Sequence, residues 1–210
     1  MKNRLVILGA GDFAREVADL AIRCKYEVYG FYDNLEKGTI VYRDIPCLGN
    51  DDDFEKLNDN IPYVIGIGDP NIRSFLFMKF FNKKSVALID PSAQIIGDEV
   101  FIEEGSLITA NVVITNRVHV AKHSIVNLSC TIGHDCIIGR FSNLSPGCHI
   151  NGHTTIEERC NIGSGTVTVP GAIIRRNSVI GAGAVVKGEI PENSLAVGCP
   201  AKVIKTYENK

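Results

Sequence analysis

A small α/β domain of parallel strands, followed by a long coil of six-residue turns, is the fold class that the sequence predicts. Two observations carry it. Between Gln94 and Lys187 a branched aliphatic residue recurs at every sixth position, from Ile96 through Ile102, Ile108, Ile114, Val120 and Val126 to Ile180 and Val186; of sixteen such positions only Thr168 departs. A period of six fits neither a helix nor a simple strand and marks a repeat architecture. Ahead of the repeat, short apolar runs alternate with helically spaced segments, the pattern of parallel strands joined by crossover helices.

The first strand is expected at Arg4 to Leu8. It runs into Gly9-Ala10-Gly11-Asp12, and Val17, Leu20 and Ala21 then give helical spacing over Arg15 to Arg23. A glycine turn between strand and helix lets backbone N–H groups at the helix start approach a phosphate. A second strand, Glu27 to Tyr32, ends in Asp33-Asn34, where an acidic residue can accept hydrogen bonds from a ribose or a base. A third strand, Tyr63 to Ile67, ends at Gly68-Asp69-Pro70, and a helix follows over Ile72 to Phe81. A last short strand is expected at Val86 to Ile89. Ligands bind at the carboxyl edge of such sheets, so Gly9, Asp33 and Gly68 form one candidate site. The glycine turn on its own is equally explained by packing. The region is about half a two-lobed dinucleotide fold, which favours a mononucleotide over NAD.

Two residues before each aliphatic of the repeat stands a second series: Val100, Ser106, Val112, Val118, Ser124, Cys130, Cys136, Ser142, Cys148 and onward to Ala184, all small residues or valine. A unit with one large and one small inward residue makes a short strand and a turn. Three units close a triangular coil, in which residues 18 apart lie one above another. Four of the seven cysteines fall in the small series and read as packing residues; there is no CxxC pair to suggest a metal site.

The bulk numbers exclude several classes. Lys and Arg total 22 against 24 Asp and Glu, a net charge of −2 that makes no case for nucleic acid or an anionic membrane. No apolar run approaches the roughly 20 residues that span a bilayer, and the first residues do not read as a signal peptide. A cytoplasmic location is expected.

Of five histidines, His134 has the distinctive setting, Thr131-Ile132-Gly133-His134-Asp135-Cys136. After the inward Ile132, His134 and Asp135 occupy turn positions and point outward. An outward His beside a carboxylate can take a proton from a nucleophile, although two solvated turn residues would read the same way. The 18-residue stack puts Gly152 over His134, where its N–H can face a reacting carbonyl as an oxyanion donor. Ser164 stacks with Ala182, and Gly163 with Gly181. Small residues along that edge leave a groove for a thin ligand such as a pantetheine arm.

A short nucleotide-binding α/β domain, an unbroken hexapeptide repeat, the Gly198-Cys199-Pro200-Ala201-Lys202 ending and a His followed by an acidic residue together resemble the sialic acid O-acetyltransferase-like family of hexapeptide-repeat acyltransferases. That group includes bacterial N-acetyltransferases of nucleotide-activated 4-amino-sugars. The resemblance implies an α/β N-terminal Rossmann-like domain over 1–90, a left-handed parallel β-helix over 91–190 and a capping segment over 191–210. It implies acetyl-CoA as co-substrate, no metal, a nucleotide-diphospho-sugar as acceptor, and a homotrimer with sites between subunits. Carried over residue by residue, His134 is the base, Asp135 increases its basicity and Gly152 supplies the oxyanion N–H. Asn143, Ser164 and Ala182 line the acetyl-CoA site. Gly9, Ala10, Gly11, Asp12, Asp33, Asn34 and Gly68 hold the nucleotide-sugar. Asn143 stands where the family commonly has His, and Asp12-Phe13-Ala14 replaces the usual end of the glycine turn. The other readings are O-acetylation of a sialic acid or another sugar hydroxyl, a metal-dependent hydratase, and a non-enzymatic trimeric scaffold or nucleotide-sugar sensor.

Overall fold

The computed structural model describes residues 3–208. Its first part is a five-stranded sheet built from β1 (Asn3–Leu8), β2 (Tyr26–Tyr32), β3 (Ile40–Tyr42), β4 (Ile45–Gly49) and β5 (Tyr63–Ile65), with helices α1 (Asp12–Arg23), α2 (Asp51–Glu55) and α3 (Pro70–Lys79). The strand order is β3-β4-β2-β1-β5, parallel except for the β3–β4 hairpin. Strand β1 explains the layering: Leu5 and Ile7 join a core with Ala14, Val17, Ala18 and Ala21 of α1, while Val6 and Leu8 pack on the other side with Phe54, Tyr63 and Phe80. Gly66 permits the close fit, since a Cβ there would lie 2.8 Å from the Ala14 Cα. Helix α3 begins at Pro70 under an Asp69 cap that accepts from Asn71 and Ile72 N–H at 2.8 and 3.0 Å. The chain order reverses at β1, between β2 and β5, so the ends of these three strands share one crevice.

The rest of the chain coils through three parallel faces. The first contains Leu107–Ile108, Ile125–Val126, Asn143–Leu144, Asn161–Ile162 and Val179–Ile180; the second contains Val113–Ile114, Thr131–Ile132, His149–Ile150, Val167–Thr168 and Val185–Val186; the third runs from Val100–Ile102 to Glu189–Ile190. Partners are 18 residues apart, as in Thr131 with His149 and Asn143 with Asn161. The aliphatics from Ile108 to Val186 fill one continuous core. The small series is buried too, and it does more than pack. Cys130, Cys136, Cys148 and Cys160 place their Sγ 3.2, 3.2, 3.3 and 3.1 Å from the carbonyls of Ser145, Asn151, Gly163 and Arg175. Ser124 and Ser142 bond Gly139 and Glu157 in the same way.

Two expectations need correction. The ladder does not begin at Ile96. Gln94 and Ile95 pair with Val113 and Ile114, 19 residues on, whereas Val100 pairs with Val118 at 18. The first turn between the second and third faces therefore holds one extra residue, and it turns Ile96 outward, 64% exposed. The final strand assigned to the α/β sheet, Val86 to Ile89, is Leu88–Ile89, and it pairs with Leu107–Ile108 as the first rung of the coil. The hairpin β3–β4 and helix α2 were not expected at all.

The α/β domain sits over the lower rungs of the first face, where outward Leu107 and Ile125 join the α1 core. Arg73 of α3 fastens the junction. Its guanidinium is 1% exposed and donates to the carbonyls of Ile67, Gly68, His123, Phe141 and Ser142. At the far end Ser194–Val197 continues the first face, and the antiparallel Lys202–Thr206 lies along its edge. Lys202 and Lys205 on that outer strand oppose further strand addition.

Candidate active site

His134 and Asp135 lie in the turn from the second to the third face, between Thr131–Ile132 and Ile137–Ile138. Asp135 takes the left-handed corner conformation, φ 60°, and so do Arg117 and His153 one coil before and after it at 51° and 61°. These three form a column. Arg117 donates to both Asp135 oxygens at 2.6 and 3.0 Å, His134 Nδ1 lies 2.6 Å from Oδ2, and His153 Nε2 lies 3.7 Å from Oδ2. The Arg117 guanidinium, with His134, holds the Asp135 carboxyl well below the usual carboxylate range. An ionised carboxylate only accepts, so Nδ1 carries the hydrogen and Nε2 of neutral His134 is left as the basic atom.

Nε2 faces Gly152. A Cβ on Gly152 would lie 2.7 Å from both Nε2 and Cε1 of His134, so only glycine fits without displacing the ring. A Cβ on Gly133 would lie 2.8 Å from the Gly152 nitrogen, so this glycine keeps the approach to that N–H open. Among the described residues the Gly152 N–H has no acceptor. An exposed base thus lies against a buried backbone donor that has no acceptor among the described residues. His134, Asp135 and His153 have ligand atoms within 4.8 Å of one another, a spacing a metal would accept. The Arg117 charge on the shared carboxylate opposes a cation there.

The other expected residues lie elsewhere on the chain. Asn143 points outward from the first face and donates to the Asn161 side chain at 2.9 Å. Ser164 and Ala182 are stacked and exposed on the edge between the first and second faces, a whole face away from His134. Gly9, Ala10, Gly11, Asp12, Asp33, Asn34 and Gly68 do gather at the crevice of the α/β sheet. Asp33 ties two of its loops, accepting from the Ala10 N–H at 2.8 Å and the Asn34 N–H at 2.7 Å. Asp12 is exposed with Arg15 3.3 Å away, and Gly68 is held by Arg73 through its carbonyl. Beside the crevice a groove of about 510 Å³ runs between α1 and the first-to-second edge, lined by Phe13, Glu16, Leu20, Thr109, Asn127 and Leu128 among others. Sequence reasoning missed Arg117, His153 and Arg73. The first two were within reach, because they stand 18 residues to either side of Asp135.

Residues 4–80 match the family model of the PglD N-terminal domain, and residues 153–187 match the hexapeptide repeat of succinyl-transferase. GDP-perosamine N-acetyltransferase of Escherichia coli O157:H7 is 28% identical over 97% of both chains. The chain is an acyltransferase that carries a PglD N-terminal domain and a hexapeptide repeat. The coil of this acyltransferase is the left-handed β-helix of its structural neighbours. The acetyltransferase domain of PglB from Neisseria gonorrhoeae, solved with acetyl coenzyme A, superposes with a TM-score of 0.90 at 27% identity, covering 97% of this chain and all of that one. PerB from Caulobacter crescentus, solved with CoA and GDP-perosamine, gives 0.89 at 29% identity over 96% of this chain and 97% of that one. The chain spans 55% of the length of a putative acetyltransferase from Schizosaccharomyces pombe, 37% identical over 118 residues and 45% of this chain. No helix among the described residues is long and apolar enough to cross a membrane.

Proposed function

We propose that this acyltransferase moves the acetyl group of acetyl-CoA to the amine of a nucleotide-activated 4-amino-sugar, in the cytoplasm, as a homotrimer supplying bacterial glycan synthesis. The observation that carries this reading is the imidazole of His134, fixed through Nδ1 to Asp135 at 2.6 Å while Nε2 lies against Gly152. A protonated amine cannot attack a thioester. His134 Nε2 takes the proton as nitrogen bonds to the carbonyl carbon, and Asp135 stabilises the imidazolium that forms. The oxyanion rests on the Gly152 N–H. The C–S bond then breaks, and the departing thiolate takes the proton back from His134.

Residues 1–90 hold the nucleotide-sugar in this reading, with Gly9, Ala10, Gly11, Asp12, Asp33, Asn34 and Gly68 around it. Asn143, Ser164 and Ala182 line the acetyl-CoA path. The placement of these groups supports sites shared between subunits: His134 stands a face away from Ser164 and Ala182, and the crevice of the α/β domain opens beside the first face. A second copy that brings its His134 edge to that crevice completes the site. The PglB domain with acetyl coenzyme A and PerB with CoA and GDP-perosamine support the choice of both substrates. Asn143 is already bonded to Asn161 and cannot share a proton, so His134 is the sole base.

The test is coenzyme A release and product mass with GDP-, UDP- and dTDP-linked 4-amino-sugars, each against its 4-hydroxy counterpart. The expected result is acetylation of an amino-sugar and not of its hydroxyl analogue. His134→Ala lowers kcat by ~10²–10⁴ with the trimer intact by light scattering, the usual worth of a general base. Full activity in that variant removes the mechanism.

A further inference from the structure

Thr168 interrupts the aliphatic ladder with a hydroxyl that is completely buried. In a regular rung the residue after the inward aliphatic donates its N–H to the inward carbonyl one coil on, as Gly133 does to Ile150 at 2.7 Å and Thr115 to Ile132 at 3.0 Å. At Thr168 this exchange is rerouted. The Asn151 N–H goes to Thr168 Oγ1 at 2.9 Å, and the Thr168 carbonyl is taken by Asn151 Nδ2 at 2.6 Å. Only one residue pair, His149 with Val167, is left in that strand pairing. A second buried hydroxyl continues the path. Thr154 Oγ1 lies 2.9 Å from Thr168 Oγ1 and donates to the Asn151 carbonyl at 2.6 Å, where Cys136 Sγ also arrives at 3.2 Å.

The Asn151 carbonyl and the Gly152 N–H belong to one trans peptide, so they point in opposite directions and turn as one plate. Thr154 has a single hydrogen and spends it on that carbonyl, so the Thr168 hydroxyl donates to Thr154. A chain of donors therefore runs from Thr168 through Thr154 to the Asn151 carbonyl, and its far side is the free Gly152 N–H. Hydrogen bonds to the carbonyl end of an amide polarise it and make its N–H a stronger donor. A valine or isoleucine at 168 would restore the ordinary rung, fill the core and remove this device.

We propose that Thr168 is a positioning residue: with Thr154 it fixes and polarises the Asn151–Gly152 peptide so that the Gly152 N–H is set for the oxyanion. This rests on the reading of Gly152 as the oxyanion donor. Thr168 acts only through the peptide and touches no substrate.

The test compares Thr168→Val and Thr168→Ser in the intact trimer, with kcat and KM for acetyl-CoA, melting temperature and the amide proton shift of Gly152 by NMR. Thr168→Val is expected to melt at or above the wild-type temperature, because the regular ladder is aliphatic. Its kcat is expected to fall about tenfold or more, part of the ~10²–10³ that a lost oxyanion donor costs. KM is expected to stay within about twofold, since a positioning effect acts in the transition state and not on ground-state binding. The Gly152 amide proton moves upfield, and Thr168→Ser restores both kcat and shift. An unmoved Gly152 resonance in Thr168→Val overturns the positioning role. A moved resonance with unchanged kcat overturns the catalytic consequence and identifies the Gly152 reading as the failed step. A Thr168→Ser variant as slow as Thr168→Val also overturns it, since the hydroxyl would then not be the cause.

Discussion

His123 is the group whose titration should govern acid stability, and replacing it by phenylalanine isolates the effect. The ring is fully buried where the α/β domain meets the coil. Phe77 lies against it with centroids 4.7 Å apart, Phe141 is stacked at 6.0 Å and Tyr63 at 6.1 Å. Neither ring nitrogen has a hydrogen-bond partner. Burial pushes its pKa down from 6.5 to about 4; Glu104 opposes the shift, and Arg73 and Lys122 add to it. The unfolded chain therefore takes up this proton before the folded one does. The stabilisation is whole above pH 6.5 and is lost as the pH falls from 6.5 to 4. A depression of this size corresponds to roughly 3 kcal/mol per chain over that window. Phenylalanine suits the position, because Phe141 occupies the same corner one coil on with φ 62° against 54° at His123. His123→Phe is expected to flatten the acid slope of the urea midpoint followed by circular dichroism between pH 7 and 4. At pH 7 it should add about 1 kcal/mol by removing two unpartnered buried nitrogens. Parallel wild-type and variant curves from pH 6.5 to 4, or a His123 C2–H resonance titrating near 6, would refute the reasoning.

Two further outcomes are expected. Gly152→Ala puts a methyl 2.7 Å from His134 Nε2 and displaces either the imidazole or the donor; kcat should fall ~10²–10³ with an unchanged melting temperature, checked by steady-state assay and calorimetry. Arg73→Met strips the charged donor from five carbonyls, at least three of them in buried contacts; chemical denaturation should show a loss of roughly 3 kcal/mol or more, at 1–3 kcal/mol per orphaned group.

The coil was legible because its stacking is arithmetic. Once residues 18 apart share a corner, Gly152 falls over His134 without any knowledge of packing. The same arithmetic places Arg117 and His153 around Asp135, one coil before and one coil after it. The first rung differs from the six-residue count for a local reason: Ile95 and Ile96 are both isoleucine, and the extra corner residue makes Ile95 the one that pairs with Ile114. The β3–β4 hairpin escaped because its turn uses Arg43 and Asp44 at φ 43° and 62°, without the glycine that signals such a turn. Arg73 was not legible at all. Its five acceptors come from both domains and meet only after docking, so no spacing within α3 announces them.

The buried small series gives the repeat a second ladder inside the first. Backbone N–H groups of the strands reach carbonyls on the next coil, but the carbonyl just past each inward aliphatic has turned the corner and leaves that ladder. A hydroxyl or thiol 15 residues earlier meets it from inside: Ser106 bonds Ala121 at 3.0 Å, Ser124 bonds Gly139 at 2.9 Å and Ser142 bonds Glu157 at 2.7 Å. Cysteine substitutes for serine along this line because both are small and both donate, which explains four buried thiols without a metal or a disulfide. The corners are thus tied from the core as well as along the faces. That matters at the corner of Gly152, where Cys136 and Thr154 converge on one carbonyl. Catalytic groups on turns are normally the least constrained part of a fold, and here they stand on four-residue turns. Here the turns are as fixed as the strands, so a base and a backbone donor from adjacent coils hold their spacing before any substrate arrives.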